Sequence, residues 1–296
     1  VYSALTVILI LLLWLGGMPF FDSLCHAFGA AGTGGFAIKN AGIAYYDSAY
    51  LEIVLGIFML LFGVNFNLYY LLLIGRVKET LKSEELKWYG IIVAFSILAI
   101  ALNVLAIYQD FEVSLRLAFF QVSSIITTTG YATADFAQHW PQFSQHLLVL
   151  LMIIGACAGS TGGGLKVSRL ILLMKSFFQE IRHIISPRAV RVVRLDGQVI
   201  DNETLNSTRV YFISYMLIVC LSTLLLSLDG FDFTTNLAAE IACFNNIGPG
   251  LGLVGPMGNY SAYSPFSKIL LSLNMLLGRL EIYPILILFS RSVWRR

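Results

Sequence analysis

Between Leu115 and Ile126 the chain is apolar for about half the length a helix needs to cross a bilayer, which is about 20 residues. It then runs into Thr127-Thr128-Thr129-Gly130-Tyr131 and a polar loop. A segment this short predicts a helix that enters the membrane and turns back. Backbone that stops being helical at that depth must be buried in protein or line a watery cavity, because lipid cannot satisfy its N–H and C=O groups. Carbonyls of Thr128, Thr129 and Gly130 facing such a cavity would replace the water around a dehydrated cation, and Gly130 supplies backbone freedom that other residues lack.

A membrane setting is required by composition, since 57% of the 296 residues are hydrophobic and only 12% are charged. Soluble domains carry roughly a quarter charged residues. The net charge is +2 and the charges fall between apolar runs, so no nucleic-acid surface is implied and lipid is the expected surrounding. Cys25, Cys157, Cys220 and Cys243 have no paired spacing and read as small core residues. The chain begins at Val1 inside an apolar run without signal-peptide features, so the natural N-terminus is expected elsewhere.

The half-span recurs. Tyr2 to Gly16 spans, Pro19 restarts the chain, Phe20 to Ala31 is short, Thr33-Gly34-Gly35-Phe36 turns, and Tyr50 to Ile74 spans again. In the same order come Trp88 to Ile107, Ser114 to Ile126, the Thr127 to Tyr131 turn, and His146 to Phe178 with a break in its middle. Val210 to Leu228, Thr234 to Cys243, Asn245-Asn246-Ile247-Gly248-Pro249-Gly250 and Phe266 to Phe289 complete a third round. Overlaying the turns aligns Gly35, Gly130 and Gly248, and repetition on this scale predicts one structural unit used repeatedly around one axis. The expected units are residues 1–80, 81–185 and 207–296, with 186–206 as a connection containing a hairpin-like Leu195-Asp196-Gly197-Gln198. The fold class is all-α and polytopic, with repeated membrane helix, pore helix, membrane helix units around one pore.

Basic residues set the expected orientation. Arg76, Lys78, Lys82 and Lys87, then Lys175, Arg182, Arg188, Arg191, Arg194 and Arg209, then Arg291, Arg295 and Arg296 follow the three units, whereas the turn-bearing loops have only Lys39, Arg116 and Lys268. The positive-inside rule puts the basic loops in the cytoplasm and the turns outward. Tyr45, Tyr46, Trp140, Tyr260 and Tyr263 are expected at the outer interface. Each half-helix then points its C-terminal carbonyls, about half a negative charge, at the shared axis, which favours a cation. An anion site would need helix N-termini. Asp47 and Asp135 are expected to draw cations to the mouth.

Residues Gly155, Ala156, Cys157, Ala158, Gly159, Ser160, Thr161, Gly162, Gly163 and Gly164 interrupt an otherwise helical span. Glycine costs about 1 kcal/mol per helical position relative to alanine, so this stretch predicts a loop beneath the turns, placed to act as a gate. It lacks the order of a phosphate-binding GxxxxGK[ST] loop. Arg279 and Glu281 lie within the last span; intramembrane charge is costly and marks function. Arg279 is expected under the filter, where it would repel a cation or hold the loop, and Glu281 is expected to be structural. At i and i+2 the two need different partners. Lys166 and Arg169 could snorkel to the interface.

The segments GACAGSTGGGLKVSR (155–169), FNNIGPGLG (244–252), MLLGRLEIYP (275–284) and TTTGYATADF (127–136) together resemble the bacterial Trk and Ktr superfamily of potassium translocating subunits, the Trk branch above all. The resemblance runs over the whole chain. It implies potassium as the transported ion, uptake through a channel-like pore in the bacterial inner membrane, a homodimer, and a cytoplasmic TrkA-like ring of nucleotide-binding regulatory subunits. It implies filter strands at Thr33, Gly34 and Gly35, at Thr128, Thr129 and Gly130, and at Asn246, Ile247 and Gly248, an intramembrane gate at Gly155 to Gly164, and a pore arginine at Arg279. The family has four repeats and this chain carries three, so the first is expected to lie before Val1. Two other classes compete: a membrane enzyme, for which Asp110, Glu112 and Asp135 lack a histidine cluster or metal-ligand spacing, and a nonconducting scaffold or regulator derived from such a transporter. A scaffold has no use for a glycine in register three times.

Overall fold

The computed structural model describes residues 1–186 and 192–288. Pro187, Arg188, Arg191, Phe289, Arg291, Arg295 and Arg296 lie outside the described residues. The first unit contains α1 (Tyr2–Leu15), α2 (Phe20–Ala31), α3 (Ala49–Phe62), α4 (Phe66–Leu73) and α5 (Val77–Lys82). The second contains α6 (Glu84–Tyr108), α7 (Phe111–Ile126), α8 (Phe136–His139), α9 (Gln142–Ile154) and α10 (Val167–Ile185). An antiparallel pair, β1 (Arg194–Leu195) and β2 (Gln198–Val199), follows, closed by Asp196 and Gly197 at positive φ as the hairpin-like sequence predicts. The third unit contains α11 (Asn202–Leu226), α12 (Phe233–Phe244), α13 (Pro265–Arg279) and α14 (Tyr283–Leu288).

The half-helix α2 begins at Phe20 as expected, α7 begins at Phe111, three residues ahead of the expected Ser114, and α12 at Phe233, one ahead of the expected Thr234. Pro19 precedes α2, Asp110 accepts from the Glu112 and Val113 N–H groups at 2.8 and 3.4 Å, and Asp232 accepts from Thr235 N–H at 3.0 Å. Such caps satisfy donors that a helix start leaves orphaned. Each half-helix is then enclosed by other helices: α2 by α1 and α3, α7 by α3, α6 and α9, α12 by α9, α11 and α13. Val122, Ile125 and Ile126 of α7 are buried with Ile100, Leu148 and Met152, and a second cluster joins Leu9, Leu13, Ala27, Leu55 and Met59. The long helices instead expose Phe95, Leu98 and Leu102 on α6 and Leu217, Leu221 and Leu224 on α11. Apolar surface facing outward over a packed interior suits lipid as the solvent. Among the described residues, α6 and α11 are long and apolar enough to cross a membrane alone.

Two predicted spans are broken. Tyr50 to Ile74 is not one helix, because α3 and α4 meet at 90°. Gly63 ends α3, Asn65 caps α4 by accepting from Asn67 N–H at 2.9 Å, and the Phe66 N–H donates to the Gly159 carbonyl at 3.1 Å. Phe266 to Phe289 is likewise interrupted between α13 and α14, where Glu281 and Ile282 have φ of 57° and 62°. Two of the aromatics expected at the outer interface face protein. Trp140 and Tyr263 are buried, since their polar tips find protein partners: Trp140 Nε1 donates to the Tyr108 hydroxyl at 3.1 Å and the Tyr263 hydroxyl donates to Asn236 Oδ1 at 3.0 Å.

Candidate cation site

The three half-helices end in one and the same backbone motif. Past the last helical residue, Thr33, Thr128 and Asn246 take φ of 52°, 56° and 57°, and two residues further on Gly35, Gly130 and Gly248 take 66°, 89° and 102°. The first residue of each pair donates its N–H three residues back, Thr33 to Ala30, Thr128 to Ile125 and Asn246 to Cys243 (3.3, 3.0 and 3.0 Å). The next donates five back, Gly34 to Gly29, Thr129 to Ser124 and Ile247 to Ala242 (2.7, 2.9 and 2.8 Å). This is the Schellman closure, in which left-handed geometry at the residue after the cap lets the chain recover orphaned carbonyls and leave the helix axis sharply. The aligned glycines of the sequence therefore stand at equivalent backbone positions. The positive φ at Thr33 and Thr128 had no sequence signal, because glycine is the usual residue there.

The turns interlock in order. A Cβ built on Gly35 would stand 1.9 Å from the Thr129 carbonyl oxygen, and one built on Gly130 would stand 1.8 Å from the Ile247 carbonyl oxygen. Each glycine thus makes room for a carbonyl of the following unit. A Cβ on Gly248 would meet nothing within 4 Å, so the succession is open on that flank. A cavity of about 500 Å³ lies there, lined by Thr33, Gly34 and Gly35 of the first turn, Gly130 of the second, Asn246, Ile247 and Gly248 of the third, and Arg279. Thr128 and Thr129 do not line it. Thr128 Oγ1 accepts from Gly163 N–H at 2.7 Å, and Thr129 Oγ1 lies 2.9 Å from Thr127 Oγ1.

On the side of the loop 37–42 a second cavity, about 260 Å³, shares Gly35 and Gly130. Its lining holds Lys39 and neither Asp47 nor Asp135, so the expected carboxylates at the mouth are not at this cavity. Tyr260, expected at the interface, donates its hydroxyl to the Gly248 carbonyl at 2.6 Å.

The glycine-rich break packs directly against the turns. Besides the Gly163 to Thr128 bond, Thr33 Oγ1 stands 3.0 Å from the Thr161 carbonyl oxygen, and a Cβ on Gly163 would come within 2.7 Å of the Asn245 carbonyl. The loop touches all three turns. Its two ends meet at a neck, where Leu165 and Lys166 donate to the Ile153 and Ile154 carbonyls (3.0 and 2.8 Å) and the Cα of Gly164 would sit 3.0 Å from a Cβ on Gly155. Gly159 and Ser160 form its far bend, with Ser160 Oγ donating to the Cys157 carbonyl at 2.6 Å, and Gly162 lies against Thr127. Glu85, which the sequence presents only as an acidic residue in the first turn of α6, is buried and accepts at Oε1 from Ala158 N–H (2.7 Å) and Ser168 N–H (3.1 Å). It pins both the loop and the start of α10.

Arg279 ends α13 and reaches the first turn, donating from Nη1 to Thr33 Oγ1 at 3.3 Å and from Nη2 to the Gly32 carbonyl at 3.2 Å. Its link to the loop runs through Thr33, not directly. Glu281 has the different partners expected of it. It pairs with Lys166 Nζ at 2.5 Å and Arg169 Nη2 at 2.6 Å.

Three short half-helices that end in one repeated turn, with a glycine-rich loop and an arginine packed against those turns, define a polytopic membrane protein of the repeated helix, pore-helix, helix class. The sequence profile described as TrkH, cation transport protein, matches residues 1–295. The Trk system potassium uptake protein TrkH of Escherichia coli K12 is 38% identical over 299 residues, 100% of this chain and 61% of that protein. TrkG of the same strain is 35% identical over 296 residues, 99% of this chain and 60% of that protein. The crystal structure of the potassium transporter TrkH from Vibrio parahaemolyticus superposes with a TM-score of 0.91 at 33% identity, over 99% of this chain and 63% of that one. The chain belongs to the TrkH family of cation transport proteins. It spans about three fifths of the length of these relatives.

Proposed function

We propose that this chain forms most of the pathway of a potassium-uptake transporter of the bacterial inner membrane, with potassium as the substrate. The observation that carries the reading is the identical closure of three half-helices with glycine against carbonyl between successive turns. Thr33, Gly34 and Gly35, Thr128, Thr129 and Gly130, and Asn246, Ile247 and Gly248 are the filter segments. Their carbonyls, backed by helix C-termini carrying about half a negative charge each, substitute for the hydration shell of the ion. The loop 155–164 and Arg279 close the pathway beneath, the loop by volume and the arginine by repelling a cation in a setting where charge is weakly screened. No bond is made or broken in transport, and potassium moves down its electrochemical gradient.

The relatives named above are potassium uptake proteins of a Trk system, which supports the choice of ion and a multicomponent assembly. Units 1–80, 81–185 and 207–296 are three parts of the ring, the filter turns face outward, and the basic loops face the cytoplasm. A homodimer bound to a nucleotide-binding regulatory ring completes the assembly. Gly130→Ser in the full-length protein tests the filter assignment: the new side chain collides with the Ile247 carbonyl, so discrimination of potassium over sodium in proteoliposome uptake should fall sharply. Unchanged discrimination would remove Gly130 from the filter.

A further inference from the structure

The bend after Arg279 is built around a second charge. α13 closes in a Schellman turn of its own, Glu281 N–H donating to the Gly278 carbonyl at 3.4 Å and Ile282 N–H to the Leu277 carbonyl at 2.8 Å. Glu281 and Ile282 both hold positive φ without being glycine, a strained arrangement that persists only where surrounding contacts enforce it. Ile282 is fully buried and Gly278 lies against the Phe244 carbonyl at the end of the third half-helix, which fixes the bend from one side. From the other, the Glu281 carboxylate takes Lys166 on one oxygen and Arg169 on the other. Lys166 is the residue at which the glycine-rich loop rejoins its own neck, with φ of 75°, and Arg169 lies in the first turn of α10 with its guanidinium 4.2 Å from the Tyr211 ring centroid.

Loop and arginine are therefore tied at two points. At the turn, Arg279 meets Thr33, which in turn meets Thr161 of the loop; at the neck, Glu281 meets Lys166 two residues along the chain from Arg279. We infer that Glu281 is a positioning residue that locks the neck of the glycine-rich loop to the end of α13, so that loop and Arg279 hold the closed arrangement together. The first tie holds the middle of the loop at Thr161 and the second its neck at Lys166. Releasing Glu281 leaves the filter turns untouched, since its carboxylate partners are Lys166 and Arg169 and neither lies in a turn. This rests on the gate reading given above and adds to it a latch outside the pore lining.

The test uses rubidium uptake by the full-length protein in proteoliposomes, comparing Glu281→Gln, Lys166→Met, their double variant and Arg279→Ala, with sodium competition measured for each. The latch predicts that Glu281→Gln and Lys166→Met each raise uptake about fivefold or more, the range of typical coupling between sites, with the rubidium-to-sodium ratio unchanged. The double variant should gain no more than Glu281→Gln alone, because Lys166 acts through that carboxylate. If Arg279→Ala raises uptake and Glu281→Gln does not, the latch is wrong and the gate stands. If no variant raises uptake, including Arg279→Ala, the gate reading falls and the latch with it. A gain accompanied by lost selectivity would place Glu281 in filter support and overturn the latch. Should Glu281→Gln fail to fold, Lys166→Met carries the same outcomes.

Discussion

At the scale of single residues, the half-helices owe their aim to caps at one end and left-handed residues at the other. Asp232 accepts from both the hydroxyl (2.5 Å) and the N–H (3.0 Å) of Thr235, and these bonds hold its carboxyl below the ordinary carboxylate range. A depressed value means that the stabilisation is fully present above the unfolded-state pKa and is lost as pH falls through the lowered one. Asp232→Ala should therefore cost about 1 kcal/mol of stability at neutral pH, read as a lower unfolding midpoint, and the difference from wild type should vanish in strong acid. Gly35, Gly130 and Gly248 could be picked out in the sequence because a residue without Cβ repeats at one place in one unit. The left-handed backbone of Thr33 and Thr128 could not be, since it is imposed by the turn and not by the residue type.

At the scale of elements, the three half-helices and the break in the second unit follow from segment length and glycine content, both local properties of the chain. The right angle after α3 and the interruption after α13 do not. Each depends on a contact with a distant element: Phe66 N–H on the Gly159 carbonyl, and Glu281 on Lys166 and Arg169. Long apolar runs hide such breaks, because hydropathy registers burial in lipid and not helix direction. The buried hydrogen bonds of Trp140 and Tyr263 are likewise invisible to hydropathy, an amphipathic ring being as suited to such a bond as to a membrane interface. Glu85 is the clearest case of a residue whose role is invisible locally: it joins α6 to the loop and to α10. A hydrogen bond contributes about 0.5–1.5 kcal/mol net, and Glu85→Ala removes two. Its thermal midpoint in detergent should fall by more than that of Asp232→Ala, and equal shifts would show that the loop is held by its other contacts.

At the scale of the whole molecule, the succession of glycine against carbonyl runs from the first turn to the second and from the second to the third, and then stops at Gly248. The chain covers about three fifths of its relatives' length, and the filter proposed above requires a carbonyl from outside this chain to pack against Gly248 as Ile247 packs against Gly130. Gly248→Ala in the full-length protein should then damage ion selectivity as much as Gly130→Ala does, although a Cβ there meets nothing in this chain. A mild effect would mean that the ring is closed some other way. The threefold order of units was readable from the sequence because each repeats its own hydropathy profile; the interlock was not, since it joins residues about a hundred positions apart whose only shared sign is the missing side chain.

The measurement that bears most directly on the central claim is rubidium uptake by the full-length protein in proteoliposomes, with potassium and sodium as competitors and the proposed regulatory partner supplied. Saturable uptake displaced by potassium and barely affected by sodium is the predicted result. No uptake under those conditions, or uptake indifferent to the choice of competitor, would contradict a carbonyl filter at Gly35, Gly130 and Gly248 and favour a nonconducting role for the fold.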